Sequence, residues 1–127
     1  MMETSYKVFN VRNNAILTTS YVAGEVIENV QHLNQMVLHI DFTKGSLSSA
    51  EIKVEFSIDG INYHQLTSGT VDTNGLETLK PHTLTIGADA KFAHLLPVKA
   101  RFIKISSKGT GTVTGSSLKI RAVLGVA

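Results

Sequence analysis

The sequence lacks cysteine and tryptophan altogether, and aromatic residues make up only 6% of its 127 residues. Without cysteine the chain can form neither a disulfide nor a thiolate metal site. Scarce aromatics argue against a surface that stacks sugars or single-stranded nucleic acid. Apolar runs are far shorter than the roughly 20 residues of a spanning helix, and the N-terminus lacks the apolar stretch of a signal peptide. We therefore expect synthesis in a cytoplasm and no membrane association.

Acidic residues are missing from the last third of the chain. Residues 1–89 contain five Lys/Arg and ten Asp/Glu, whereas residues 90–127 contain seven Lys/Arg and no acid. The net charge of +2 is too small to predict nucleic-acid binding. Two interpretations of the asymmetry remain. Basic strands could pair with acidic strands inside one sheet, or a dipolar subunit could associate head to tail with copies or partners.

No motif for catalysis or cofactor binding is present. The sequence has no G-x-S-x-G elbow, no P-loop and no H-E-x-x-H spacing. Turn capping explains the four loop aspartates better than calcium binding does, because no D-x-D-x-D-G loop occurs; they are Asp41, Asp59, Asp72 and Asp89. We expect a protein that is not an enzyme and that binds no cofactor and no metal ion.

Alternation of apolar and polar residues dominates the pattern and predicts half-buried β-strands. It is clearest in three segments, around residues 36–43, 52–58 and 118–124. Further strands are expected at Val98 to Ser106 and around Leu84, with a loop at Ser68 to Gly75 and a glycine-rich hairpin tip near Gly109 to Gly115. The length favours one domain, residues 1–127. The predicted fold is all-β: an antiparallel β-sandwich or jelly roll of seven to nine strands.

Two segments resemble discoidin-like, galactose-binding-like β-sandwiches. The run from Glu55 to Leu66, EFSIDGINYHQL, resembles the S-x-D-G-x-x-[WY]-x-x-L hairpin of that group. About forty residues later, Ala100 to Ile105, ARFIKI, resembles the strand that usually follows. The resemblance implies that Asp59 and Gly60 form the turn, that Phe56 enters the core and that Tyr63 covers it. Loop aromatics or arginines of the ligand-binding members have no assignable counterpart here.

A second resemblance is to small virion proteins of tailed bacteriophages, which are short, cysteine-free β-sandwiches rich in Thr, Ser and Gly. It is carried by Phe42 to Leu47 leading into Ile52 to Ser57. This resemblance implies a non-enzymatic structural component of a phage-like particle, as capsid decoration, neck or tail accessory subunit. The alternative is a carbohydrate-binding module of discoidin-like type.

These observations lead to specific expectations about partners and residues. The partners would be other virion proteins or further copies of the chain in an oligomer, with no nucleic acid, and the location would be the virion. The contact residues would come from the basic last third of the chain; they are Lys99, Arg101, Lys104, Lys119 and Arg121. The core would include Leu38, Ile40, Val54, Phe56, Ile105, Leu118 and Ile120.

Overall fold

The computed structural model describes residues 6–98 and 100–126. Within them the chain forms twelve strands and no helix, and so no helix that could cross a membrane. The strands are β1 (Tyr6–Ala15), β2 (Val22–Ala23), β3 (Ile27–Glu28), β4 (Gln35–Thr43), β5 (Leu47–Ser57), β6 (His64–Gln65), β7 (Thr67–Val71), β8 (Glu77–Pro81), β9 (Thr83–Ile86), β10 (Ala90–Pro97), β11 (Phe102–Gly111) and β12 (Ser117–Gly125). The prediction of an all-β antiparallel fold is confirmed.

Sheet I contains four antiparallel strands in the order β1-β12-β4-β10. The alternation seen in the sequence of β4 and β12 buries one residue in two along each strand. The inward side chains of these two central strands are nearly inaccessible, because they face the second sheet. They are Met36, Leu38, Ile40, Phe42, Leu118, Ile120, Ala122 and Leu124.

Sheet II is built on the long central pair β5 and β11. The short strands β2 and β3 pair with β11 on one side, and β6 and β9 pair with β5 on the other. Ile52 and Val54 from β5 join Ile103 and Ile105 from β11 in the same buried cluster as the inward residues of sheet I. This shared apolar core holds the two sheets face to face.

Six of the seven predicted core residues are buried, and Phe56 is the exception. It is only half-buried and packs against the edge of the core. The alternation of β5 breaks here, since Glu55 and Phe56 are both half-buried and Ser57 is fully buried. The Ser57 hydroxyl accepts hydrogen bonds from the backbone N–H groups of Asp59 and Gly60, so the following turn covers this residue.

The structure corrects the expected number of seven to nine strands. Three of the twelve have only two residues, too short to show alternation. The predicted loop at Ser68 to Gly75 is wrong in its first half, where Ser68 to Val71 belong to β7, whereas residues 72–75 form the turn of the exposed hairpin between β7 and β8. The strand predicted at Val98 to Ser106 begins instead at Phe102 and continues to Gly111. Only the end of the glycine-rich segment turns, so the glycines were poor markers of where this strand stops.

Candidate interaction surfaces

An apolar row crosses the whole outer face of sheet I. Val8 in β1 lies opposite Val123 in β12, Val123 lies opposite Val37 in β4, and Val37 lies opposite Leu95 in β10. Val123 and Val37 alternate with buried neighbours and point away from the core. Val8 and Leu95 share that outward face because directly opposite residues of an antiparallel ladder point the same way. Val8 and Leu95, on the two edge strands, are 57% and 56% exposed. We call Val8, Val123, Val37 and Leu95 the apolar row.

The outer face of sheet I changes from apolar to basic along its strands. On one side of the apolar row, Tyr6 and Pro97 occupy the edge strands, and Tyr6 is 66% exposed. On the other side, Arg121 lies opposite His39, and the next row places Lys119 opposite Asp41 and Asp41 opposite Lys91. Arg121, Lys119 and Lys91 outnumber the single acid, so this end of the face carries positive charge. We call these two rows the basic rows.

The outer face of sheet II, by contrast, is occupied by its own side chains. The hydroxyl of Tyr21 donates to Oε2 of Glu51 at 3.1 Å. The ammonium groups of Lys53 and Lys108 lie 4.5 and 4.9 Å from the centre of the Tyr21 ring, and Lys108 also pairs with Glu51 at 3.4 Å. Burial and the Glu51 carboxylate raise the pKa of Tyr21. The charged and aromatic side chains of this surface are therefore paired with one another by cation–π and ionic contacts.

A second cluster on sheet II involves Tyr63. The Lys104 ammonium lies 4.0 Å from the centre of the Tyr63 ring, and Lys104 is opposite Glu55 in the ladder. Glu55 in turn pairs with Lys53 at 3.7 Å. Tyr63 is half-buried, and its ring covers part of this surface and forms a cation–π contact with Lys104.

The five predicted contact residues do not form one surface. Arg101 and Lys104 belong to the sheet II side, where Arg101 donates to Oδ1 of Asn29 at 3.3 Å. Lys119 and Arg121 lie on the outer face of sheet I. Lys99 lies outside the described residues. Glu51 and Glu55 form ion pairs with Lys108 and Lys53, neither of which is among the five. Of the four that the structure describes, Lys119 and Arg121 share the face of the apolar row, with Arg121 in the next row and Lys119 one row further.

The hairpin of β7 and β8 extends beyond the two main sheets. Every residue of both strands is exposed. The ladder pairs Gly69 with Leu79 and Val71 with Glu77. A Cβ atom built on Gly69 would lie 2.5 Å from Oε1 of Glu77 and 3.2 Å from Cδ2 of Leu79. Leu79 and Glu77 therefore cover the same face of the hairpin, and Lys80, one residue along, alternates to the other face.

The Asp59 turn is closed by its own hydrogen bonds. The carboxylate accepts from the backbone N–H groups of Ile61 and Asn62 and from the Asn62 amide, each at 2.8 Å, and from the Ser57 hydroxyl at 2.9 Å. These bonds, led by the backbone N–H of Asn62, hold the pKa of Asp59 well below its usual range. Gly60 adopts φ +78°, as such a turn requires. Asp59 is thus committed to the turn, as predicted.

The other candidate ligand groups are scattered or structural. Asp72 and Asp89 also cap turns, through the N–H groups of Asn74 and Lys44, whereas Asp41 lies within β4 and not in a turn. His82 and His94 stack with ring centres 6.3 Å apart. In the part of the chain that is described, no three His, Asp or Glu residues come together in a metal-binding group.

One polar groove of about 530 Å³ opens between β1 and the segment 23–28. Its lining residues include Asn10, Asn13, Glu25 and Glu28. The backbone closes its floor, since Glu25 donates its N–H to the Val11 carbonyl at 3.0 Å.

Comparison with known proteins gives structural likeness only. The searches of protein-family models and of curated proteins each returned no match. A solved structure of Bacillus endospore appendages, described as a family of disulfide-linked pili, aligns over 99% of this chain and 93% of its own, with a TM-score of 0.52 and 8% identity. Tripeptidyl peptidase 2 aligns with a TM-score of 0.52 and 15% identity over 98% of this chain. The chain spans only 10% of that peptidase. At these identities the likeness concerns the fold.

Proposed function

We propose that this protein is a non-enzymatic structural subunit that acts through protein–protein contacts, and that its assembly is a phage-like particle in which it serves in the capsid, neck or tail. The observation that carries this proposal is the apolar row on the outer face of sheet I. An antiparallel sheet with one face in water normally alternates apolar inward with polar outward residues. Here the four neighbouring strands of sheet I each place an aliphatic side chain outward in the same row.

The contrast between the two outer faces supports an interface on sheet I. On sheet II, tyrosine rings, lysines and glutamates contact one another. On sheet I, the valines and leucine of the apolar row lie side by side, and the two at the edges are more than half exposed. Contiguous exposed apolar surface of this kind marks protein contact sites more often than isolated exposed residues do.

The likeness to a pilus subunit is consistent with a structural role, with one chemical difference. The similar pili are described as disulfide-linked, whereas this chain contains no cysteine. Copies of this chain would therefore be held together by noncovalent contacts. Aliphatic side chains on a flat sheet supply such contacts, because sheets pack closely face to face.

The proposal is tested by incorporation into particles. Cells would express the protein together with the other virion proteins, and particles would be purified from them on a density gradient. The amount of this chain in the particles would then be measured relative to the capsid and tail proteins. We expect wild type at a constant ratio to those proteins. The variant Val8→Thr with Leu95→Thr should remain in the unassembled fraction, because it makes both edges of the apolar row polar.

A matched control is Ile61→Thr, which changes an aliphatic residue that is 82% exposed in the Asp59 turn, away from sheet I. This control should be incorporated like wild type. Absence of wild type from purified particles would contradict the particle hypothesis. Equal incorporation of the apolar-row variant and wild type would contradict the use of this face.

Carbohydrate binding is a second candidate with one observation in its favour. The groove beside β1 is lined by two glutamates and two asparagines among its residues, and the side chains of these residue types can hydrogen-bond to sugar hydroxyls. Binding to a glycan array, lost in Glu25→Ala with Asn10→Ala, would support it. No glycan binding at millimolar ligand would exclude it.

A further inference from the structure

We propose that the hairpin arm of one copy, residues 67–81, docks on the apolar row and basic rows of a second copy. This inference rests on the proposed structural function and identifies the partner as another molecule of the same chain. It joins two surfaces that differ from each other, so the arm of one copy meets the face of another, either head to tail or by reciprocal exchange between two copies.

The hairpin arm has the form of a docking element. A two-stranded hairpin is marginally stable by itself in water, because it buries little on either face. Leu79 and Val71 are 60% and 67% exposed and occupy the same face. Ser68, Thr70, Thr78 and Lys80 form the opposite, polar face. An arm that is apolar on one side only is stabilised when that side is covered.

Charge determines which surface covers it. On its apolar face the arm carries Glu77, while Lys80 points to the other face. The outer face of sheet I combines the apolar row with Arg121 and Lys119 beside it. Apolar side chains and one negative charge on the arm thus meet apolar side chains and positive charge on the sheet. A contact between two sheet I faces lacks this complementarity, because each face contributes excess positive charge.

The contact lies between molecules because, among residues 6–98 and 100–126, none of the same chain covers either surface. The ten strand residues of the arm are exposed, and so are the edge residues of the apolar row, in the same folded chain. Each copy consequently offers one arm and one receiving face. Repetition of such a contact closes into a ring or continues as a filament, according to the rotation between copies.

The test uses two variants that each lack one half of the contact. Leu79→Thr with Val71→Thr removes the apolar face of the arm, and Val8→Thr with Leu95→Thr removes both edges of the apolar row. Mass is measured against concentration by sedimentation and light scattering, and circular dichroism verifies that both variants fold. We expect wild type to grow beyond its monomer mass of 13.7 kDa. Each variant alone should need at least about tenfold higher concentration to associate.

Mixing the two variants is the decisive measurement. In an equimolar mixture, the intact arm of the apolar-row variant can bind the intact face of the hairpin variant. No further copy can add to this pair, so we expect a complex of twice 13.7 kDa. For the charge component, Glu77→Lys should weaken wild-type association, whereas the control Lys80→Glu, on the opposite face of the arm, should not. Screening should also reduce the difference between these two variants at high salt.

The possible failures separate this inference from the proposed function. A hairpin variant that associates like wild type, or a mixture that stays at 13.7 kDa, overturns the docking of the arm. A wild type that remains monomeric over its soluble range overturns it too. If the apolar-row variant is nevertheless excluded from particles while the hairpin variant is incorporated, the structural function stands with a different partner.

Discussion

Truncation of Ile120 tests the arrangement of the two faces of sheet I. Ile120 lies in the central strand β12, is 1% exposed and faces sheet II. Ile120→Ala removes three carbons, each worth about 0.8 kcal/mol when buried. The cavity left behind adds to that loss, so we expect the free energy of unfolding to fall by about 3–4 kcal/mol. The melting temperature should fall by on the order of 10 °C.

The matched control is Val123→Ala on the same strand. Val123 points outward and is half-buried between Val8 and Val37, so its truncation should cost about 1 kcal/mol or less in the monomer. Urea unfolding followed by circular dichroism, at a concentration where the protein is monomeric, measures both losses. Equal losses for the two variants, or a larger one for Val123→Ala, would mean that the inward and outward faces of β12 are assigned wrongly.

Further predictions concern the turns. Asp59→Asn should destabilise the protein at neutral pH. Folding lowers the pKa of Asp59 below its ordinary value of 3.8, so the ionised carboxylate stabilises the fold above that pH and this stabilisation is lost as pH falls. The difference in free energy of unfolding between wild type and variant should therefore become smaller below about pH 4, as measured by unfolding curves at several pH values. Gly45→Ala should cost at least about 2 kcal/mol, because φ is +58° and the new Cβ would clash with the backbone of Gly115. Gly75→Ala, at φ +80° with open space around it, should cost only about 1 kcal/mol, and equal losses would argue against the Gly45 contact.

The parts of the fold that the sequence predicted are those in which burial is one-sided. β4 and β12 alternate cleanly because one face meets the core and the other meets water. The arm strands β7 and β8 gave no such signal, since both of their faces are exposed. β10 was hidden for another reason: its outward Leu95 is aliphatic, so Leu95 and Leu96 look alike in sequence although only Leu96 is buried.

The candidate surfaces depend on register, which one strand's sequence does not contain. Val8 and Val123 are 115 positions apart in the numbering yet are ladder neighbours. The charge asymmetry pointed to Lys119 and Arg121, which share the face of the apolar row. It also grouped them with Lys104, which lies in β11 of the other sheet, and with Arg101, which directly precedes that strand. Composition reports how much charge a segment carries, and only strand pairing distributes that charge between two faces.

The central claim is that the outer face of sheet I is a protein interface, and thiol labelling tests it most directly. Because the chain has no cysteine, Leu95→Cys gives a single reactive site within the apolar row, and Ile61→Cys gives a comparison site that is 82% exposed as isoleucine. Maleimide labelling rates are measured for the free and the assembled protein. We predict that assembly slows labelling at position 95 at least about tenfold and leaves position 61 unchanged. Equal rates at position 95 in the free and assembled protein would contradict the account.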